Sequence, residues 1–200
     1  VCVRDSKSDF TKSCDEHLLP LLDQTLKQTK PKSFIVLHLM GTHMEYENRY
    51  PKTFKAFSTN VEQGENNKIK ETKATYDTAV RYNDSIVNAI INRFKDKNAL
   101  IIYTSDHGED VMEINKKIAG HGDIDINNQK VEIPMLVYMS KTFQKNYPNI
   151  TNRIRLSAHH PFMTDDMIHS ILDLMEIQTK EYRPSLSIFN KQFNYKRKRI

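Results

Sequence analysis

The chain has 200 residues, 38% hydrophobic and 28% charged, with five glycines and seven prolines, which suits one domain with its own core and excludes wholesale disorder. No apolar stretch reaches the roughly 18–20 residues of a transmembrane helix, and Val1 does not open a signal peptide, so the chain reads as a soluble piece. The net charge of +5 is spread along the chain with no nucleic-acid motif beside it, which argues against nucleic acid as a partner.

The segment Val1 to Ser13 is polar and without period. Ser13-Cys14-Asp15-Glu16 then has the form of a capping box, followed by Leu18, Leu19, Leu21, Leu22 and Leu26, so a helix is expected; Pro20 either kinks it or marks its true beginning. Cys2 and Cys14 are spaced too widely for a C-x-x-C pair, and either close one disulfide or remain free thiols. Phe34 to Met40 reads as a buried strand that ends in the turn Gly41-Thr42-His43. His38, inside that run, reads as a satisfied core histidine, and His43, at its end, as a ligand.

Glu45 to Asn67 is mostly polar, with a short helix around Tyr50 to Phe57 and a loop at 63–67. From Glu71 to Lys97 the residues Tyr76, Ala79, Val80, Ile86, Val87, Ile90, Ile91 and Phe94 recur at helical spacing. Asn83 falls on the same stripe and either packs as a hydrogen-bonded helix group or points toward a site. A second apolar run, Ala99 to Tyr103, reads as a strand covered on both faces, and it ends in Thr104-Ser105-Asp106-His107-Gly108. Open α/β sheets carry their ligands at that edge.

Glu109 to Asn128 is a polar excursion containing Gly120-His121-Gly122, and Ile133 to Met139 is a third strand. A last amphipathic helix follows His159-His160-Pro161, with Thr164 as N-cap, Asp165 and Asp166 in its first turn, and Ile168, Ile171, Leu172 and Met175 inward. Lys196 to Arg199 forms the one dense basic cluster, read as a solvated tail or as a contact for an anionic membrane surface. Strands alternating with helices indicate one α/β domain over residues 1–200 with a mainly parallel sheet.

Asp106 and His107 reach one divalent metal if the backbone turns sharply after the strand, a turn that Gly108 permits. Carboxylate and imidazole suit Zn²⁺, with Mn²⁺ as the alternative, and His43 and His121 are further candidates. The bland alternative is a set of loop histidines and an Asp that caps a turn.

F-I-V-L-H-L-M-G-T-H-M-E-Y-E-N-R-Y-P at 34–51, Y-T-S-D-H-G-E at 103–109, G-H-G at 120–122 and I-P-M-L-V-Y-M-S at 133–140 resemble the phosphoethanolamine transferases of bacterial envelopes. These enzymes belong to the sulfatase and alkaline-phosphatase superfamily. C-D-E-H-L-L-P at 14–20, Y-D-T-A-V-R-Y-N-D-S-I at 76–86 and the final helix extend the likeness over nearly the whole chain.

The resemblance implies an alkaline-phosphatase-like fold. It also implies that Asp106 and His107 bind the catalytic zinc, that His43 and His121 contact a second metal or the substrate phosphate, and that Glu109 lies near the substrate headgroup. His38 matches a recurrent family position without a catalytic role. The family's threonine nucleophile and a further acidic ligand precede the position of Cys14, and the thirteen residues before Cys14 leave no room for them. Thr11 has no apolar strand ahead of it, and Cys2 does not begin a C-x-P-x-R sulfatase signature. The chain is therefore expected to be the C-terminal portion of a catalytic domain, inactive alone, with the nucleophile and the membrane helices elsewhere.

For the intact enzyme the resemblance implies that a threonine alkoxide attacks the phosphorus of phosphatidylethanolamine and releases diacylglycerol. A phosphate or sugar of lipid A or another envelope glycan then attacks the phosphothreonine. The site would face the periplasm from the bacterial inner membrane, a location that favours a Cys2 to Cys14 disulfide. A sulfatase, phosphodiesterase or phosphoglycerol transferase of the same superfamily, and a non-catalytic binding domain that keeps the fold, are the competing readings.

Overall fold

The computed structural model describes the backbone of residues 2–3 and, with side chains, residues 14–122 and 126–199. Ser13 and Thr11 lie outside the described residues, as does the side chain of Cys2. The chain divides into two compact units, Val1–Arg93 with His107–Ile133, and Phe94–Asp106 with Pro134–Ile200.

In the first unit a 3-10 turn, Asp15–His17, leads into α1, Leu18–Leu26. Pro20 sits in the first turn of α1, where its missing N–H leaves no hydrogen bond unmade, so it marks the beginning of the helix and no kink. Leu18 and Leu22, four residues apart, are the buried face. Glu16 Oε2 accepts the Tyr82 hydroxyl at 2.8 Å, and the capping box expected between Ser13 and Glu16 lies outside the described residues.

The strand expected over 34–40 is much shorter and more open. Only β2, Val36–Leu37, pairs, parallel to β1, Cys2–Val3. Phe34 and Val36 are 48% and 42% exposed, and His38 is exposed as well, not a core histidine. One described neighbour strand cannot cover both faces of the run.

The long helix α2, Asn67–Phe94, buries Ile69, Ala74, Ala79, Tyr82, Ile86, Val87 and Ile90. It begins four residues earlier than its apolar period because Asn66 caps it, Oδ1 accepting the Ile69 N–H at 3.0 Å. Val80 falls off the buried stripe, at 41% exposure.

In the second unit β3, Leu100–Thr104, pairs with β4, Met135–Met139, in the register Leu100↔Met139 to Thr104↔Met135. The pairing is antiparallel, where the alternating pattern predicts a mainly parallel sheet; among the described residues one pair is parallel and one antiparallel. A parallel return needs a crossover to the far end of the strand, usually on a helix. Between β3 and β4 the only helix among the described residues is the single turn α3, Asn128–Val131, and the chain re-enters at the end it left.

β3 is half-buried throughout, not covered on both faces. Leu100, Ile102, Met135, Val137 and Met139 pack on a core of Phe143, Ile150, Ile154, Ile188, Phe189 and Phe193, while Leu136 is 42% exposed. Helices α4, Lys141–Asn146, and α5, Pro148–Leu156, follow β4, with Ser140 capping α4 and Pro148 opening α5.

The final helix α6, Asp166–Leu174, has no Thr164 cap, and its buried residues are Asp166 and Ser170, with Met167 and Leu174 against the core. Ile168 and Met175 point outward, at 56% and 45% exposure. Two of the four basic residues at the C-terminal end are tied down and not solvated. Arg197 forks Asp165 at 2.7 and 2.8 Å, and Arg199 reaches Asp166 and lies over the Phe193 ring.

Candidate metal centre

Three histidines and a glutamate converge in the first unit. His107 is the first residue of that unit after the β3 run. Its Nδ1 donates to the Gly108 carbonyl at 3.0 Å, which makes Nε2 the acceptor nitrogen of the ring. Gly108 is required by close approach: a Cβ there would stand 2.0 Å from the Gln129 carbonyl oxygen, and its N–H donates to Lys130 O at 2.8 Å. The small residue after Asp106-His107 thus seats the chain against α3.

Glu109 is buried and has both carboxylate oxygens engaged. Oε2 accepts the Tyr46 hydroxyl at 2.7 Å, and Oε1 pairs with Nδ1 of His121. Burial, and then the bond to Glu109, pushes the Tyr46 hydroxyl far above the usual tyrosine range, so it serves as a fixed donor. Tyr76 packs edge-on against Tyr46, ring centroids 5.1 Å apart.

The loop from Glu109 to His121 is folded around Asp110. That residue is fully buried, and its carboxylate accepts the N–H groups of Glu113, Ile114 and Asn115 and the Asn127 amide, at 2.8–3.2 Å. Burial raises its pKa, but these donors outweigh it and hold the carboxyl below the ordinary range. Asp110 also exchanges backbone hydrogen bonds with Gly120, the step that returns His121 to Glu109. Gly120 has φ +129°, a conformation that favours glycine.

The rings of His107 and His121 lie 3.7 Å apart, and His43 meets His121 edge-on at 5.5 Å. Ligand atoms of His107, Glu109 and His121 all lie within 4.8 Å of one another. Two imidazoles and a carboxylate at such separations fit a zinc ion better than a harder cation. Asp106 is exposed, belongs to the second unit, and is not a member of this group.

His43 is exposed on a turn closed by its own N–H to Met40 O at 3.2 Å. Asn83 faces that turn: its Nδ2 lies 3.5 Å from where a Cβ on Gly41 would be. The polar residue on the stripe of α2 thus lies beside the turn that carries His43. Tyr46 lies inside the run 34–51 with no role assigned to it from sequence, and Asp110 follows the 103–109 run without a motif of its own. Among the described residues Cys14 is a free thiol whose pKa is pushed up by burial and by Glu16 and Asp15, which leaves it unactivated; the expected pairing with Cys2 involves a side chain outside the described residues.

The profile of the sulfatase family matches residues 3–177. The chain is 30% identical over 197 residues to phosphoethanolamine transferase EptC of Escherichia coli O18:K1:H7, covering 96% of this chain and 34% of that protein. To phosphoethanolamine transferase EptA of Escherichia coli O157:H7 it is 29% identical over 177 residues, covering 84% and 32%. It thus spans about a third of the length of these relatives. Among solved structures it is similar to the C-terminal periplasmic domain of EptC from Escherichia coli in complex with zinc, with a TM-score of 0.81 and 28% identity over 96% of this chain and 55% of that one. The α/β fold, the family profile and this likeness agree, and the chain belongs to the sulfatase family, within its phosphoethanolamine transferases.

Proposed function

We propose that this chain is the histidine-rich, metal-binding part of an enzyme that moves phosphoethanolamine from phosphatidylethanolamine to a phosphate or sugar of lipid A or another envelope glycan. The intact enzyme works at the periplasmic face of the bacterial inner membrane. The observation that supports it best is the convergence of His107, Glu109 and His121 on one point, with His43 beside them. Among the described residues no helix is long and apolar enough to cross a membrane, so membrane attachment is assigned to segments other than these.

Asp106 and His107 are assigned as zinc ligands, with Mn²⁺ as the alternative ion, and His43 and His121 as holders of a second metal or of phosphoryl oxygens. Zinc bound there supplies Lewis acidity, lowering the pKa of a hydroxyl nucleophile and neutralising phosphate charge. Glu109 accepts from His121 Nδ1 and so turns its Nε2 outward; the Gly108 carbonyl does the same for His107. Tyr46 occupies the second oxygen of Glu109 and stops the carboxylate from rotating away. One of His43 and His121 protonates the leaving oxygen.

The threonine nucleophile of the resemblance has no counterpart among the residues assigned here, and the purified 200-residue chain is expected to transfer nothing. The test is zinc content by mass spectrometry in the parent and in Asp106→Ala, His107→Ala and His121→Ala. Each variant is expected to lose bound zinc. Zinc retained in all three, or robust transfer by the isolated chain, would overturn the reading.

A further inference from the structure

We infer that Asp15 is a positioning residue for His43: its carboxylate clamps the turn that delivers this histidine to the site. The inference rests on the reading that places His43 in that site. Oδ1 of Asp15 accepts the Met40 N–H and Oδ2 the Gly41 N–H, each at 2.9 Å. Two consecutive backbone donors aimed at one carboxylate form a small anion-binding nest, here filled by the protein's own side chain.

The clamped residues are the first two of the turn Met40 to His43, closed by the His43 N–H on Met40 O. Gly41 holds φ +57° in it, so the direction in which His43 leaves depends on a conformation that the clamp selects. The Asn83 amide of α2 lies beside Gly41. Asp15 itself is anchored 25 residues away in sequence, on the 3-10 turn that the buried Leu18 and Leu22 fix in place.

Asp15 is 9% exposed and Arg49, from R-Y-P, is 6% exposed. Burial raises the Asp15 pKa, while the two backbone donors, the Arg49 guanidinium and His38 pull it down. A carboxylate suits the position because it offers an acceptor to both N–H groups at once. Asparagine has one oxygen and would turn an NH₂ group toward the second donor.

The experiment is heteronuclear NMR on the labelled 200-residue chain, with Asp15→Asn and Asp15→Glu as variants. In the parent, through-hydrogen-bond couplings should link the Met40 and Gly41 amide nitrogens to Asp15 Cγ, and a ring cross-peak should join His43 and His121. In Asp15→Asn the Gly41 coupling and the His43 to His121 cross-peak should be lost, while the His107 to His121 cross-peak stays. Asp15→Glu, which keeps both acceptors, should restore part of the His43 signal.

An unchanged His43 to His121 cross-peak in Asp15→Asn overturns the inference. So does loss of dispersed signals throughout the chain in both variants, which marks a residue needed for folding at large. Zinc added to the parent separates the two readings. Unmoved histidine ring signals there would sink the metal site, whatever the clamp does to His43.

Discussion

Glu109 joins a tyrosine and a histidine that lie 63 and 12 residues from it in sequence, and both of its oxygens are spoken for. Removing the charge while keeping the shape, as in Glu109→Gln, takes away the partner that fixes His121 Nδ1. Losses of about 10- to 100-fold in metal affinity accompany such changes elsewhere, and a drop of that order is expected here, read by competition with a chromophoric chelator. Tyr46→Phe leaves Glu109 buried with one donor fewer and should cost roughly 1.5–3 kcal/mol in urea denaturation, with no gain in compensation. His43 and His121 could be singled out in the sequence because strand-end and glycine-flanked histidines stand out from their surroundings, whereas Glu109 came only from the family resemblance, as a residue near the substrate headgroup. The roles of Asp15 and Asp110 were not legible, since a carboxylate that holds backbone N–H groups looks like any loop acid until the loop is folded, and that of Tyr46 shows only once Glu109 lies beside it.

At the scale of elements, α2 could be read from its helical period and β3 from its apolar run, and the differences lie in what closes or covers them. The cap on Asn66 was hidden in a stretch that reads as loop, and Pro148 concealed α5 by standing at its first residue, where proline favours a helix. Which face of α6 is buried depends on Asp166 and its arginines, a tertiary ion-pair choice that an apolar pattern does not encode. The loop after His107 is seated against α3 at Gly108. Gly108→Ala tests that seat: the added Cβ meets the Gln129 and Glu132 carbonyls, which cannot swing aside as a side chain does. A loss of about 1–3 kcal/mol or more is expected by chemical denaturation, with α3 displaced. Gly120→Ala meets only the Met44 sulfur, the mobile end of a side chain, so its cost arises from the φ of +129° and not from collision.

Each of the two units holds a half-buried or buried carboxylate whose pKa lies below the ordinary range, and this ties the stability of the whole chain to pH. In the first unit it is Asp110. In the second it is Asp173, where burial is outweighed by Ser187 Oγ at 2.6 Å, Arg153 Nη2 at 2.6 Å and Asn190. A carboxyl with a folded pKa below its unfolded one stabilises the fold at pH values above the unfolded value of about 3.9, and loses that contribution as pH falls through the folded one. Asp15 has the opposite sign, because its raised pKa makes ionisation cost stability as pH rises through the folded value. Denaturation midpoints followed from neutral pH down to acid should therefore fall below about pH 4, where Asp110 and Asp173 become protonated. Asp110→Asn and Asp173→Asn should each be less stable than the parent at neutral pH and converge toward it in acid. Asp110→Asn is expected to disturb the histidine ring signals as well, and Asp173→Asn to leave them in place, because only the first carboxylate organises the loop from Glu109 to His121. A parent whose midpoint is flat down to strong acid, or variants that run parallel to it throughout, would show that these carboxylates carry no pH-linked stability.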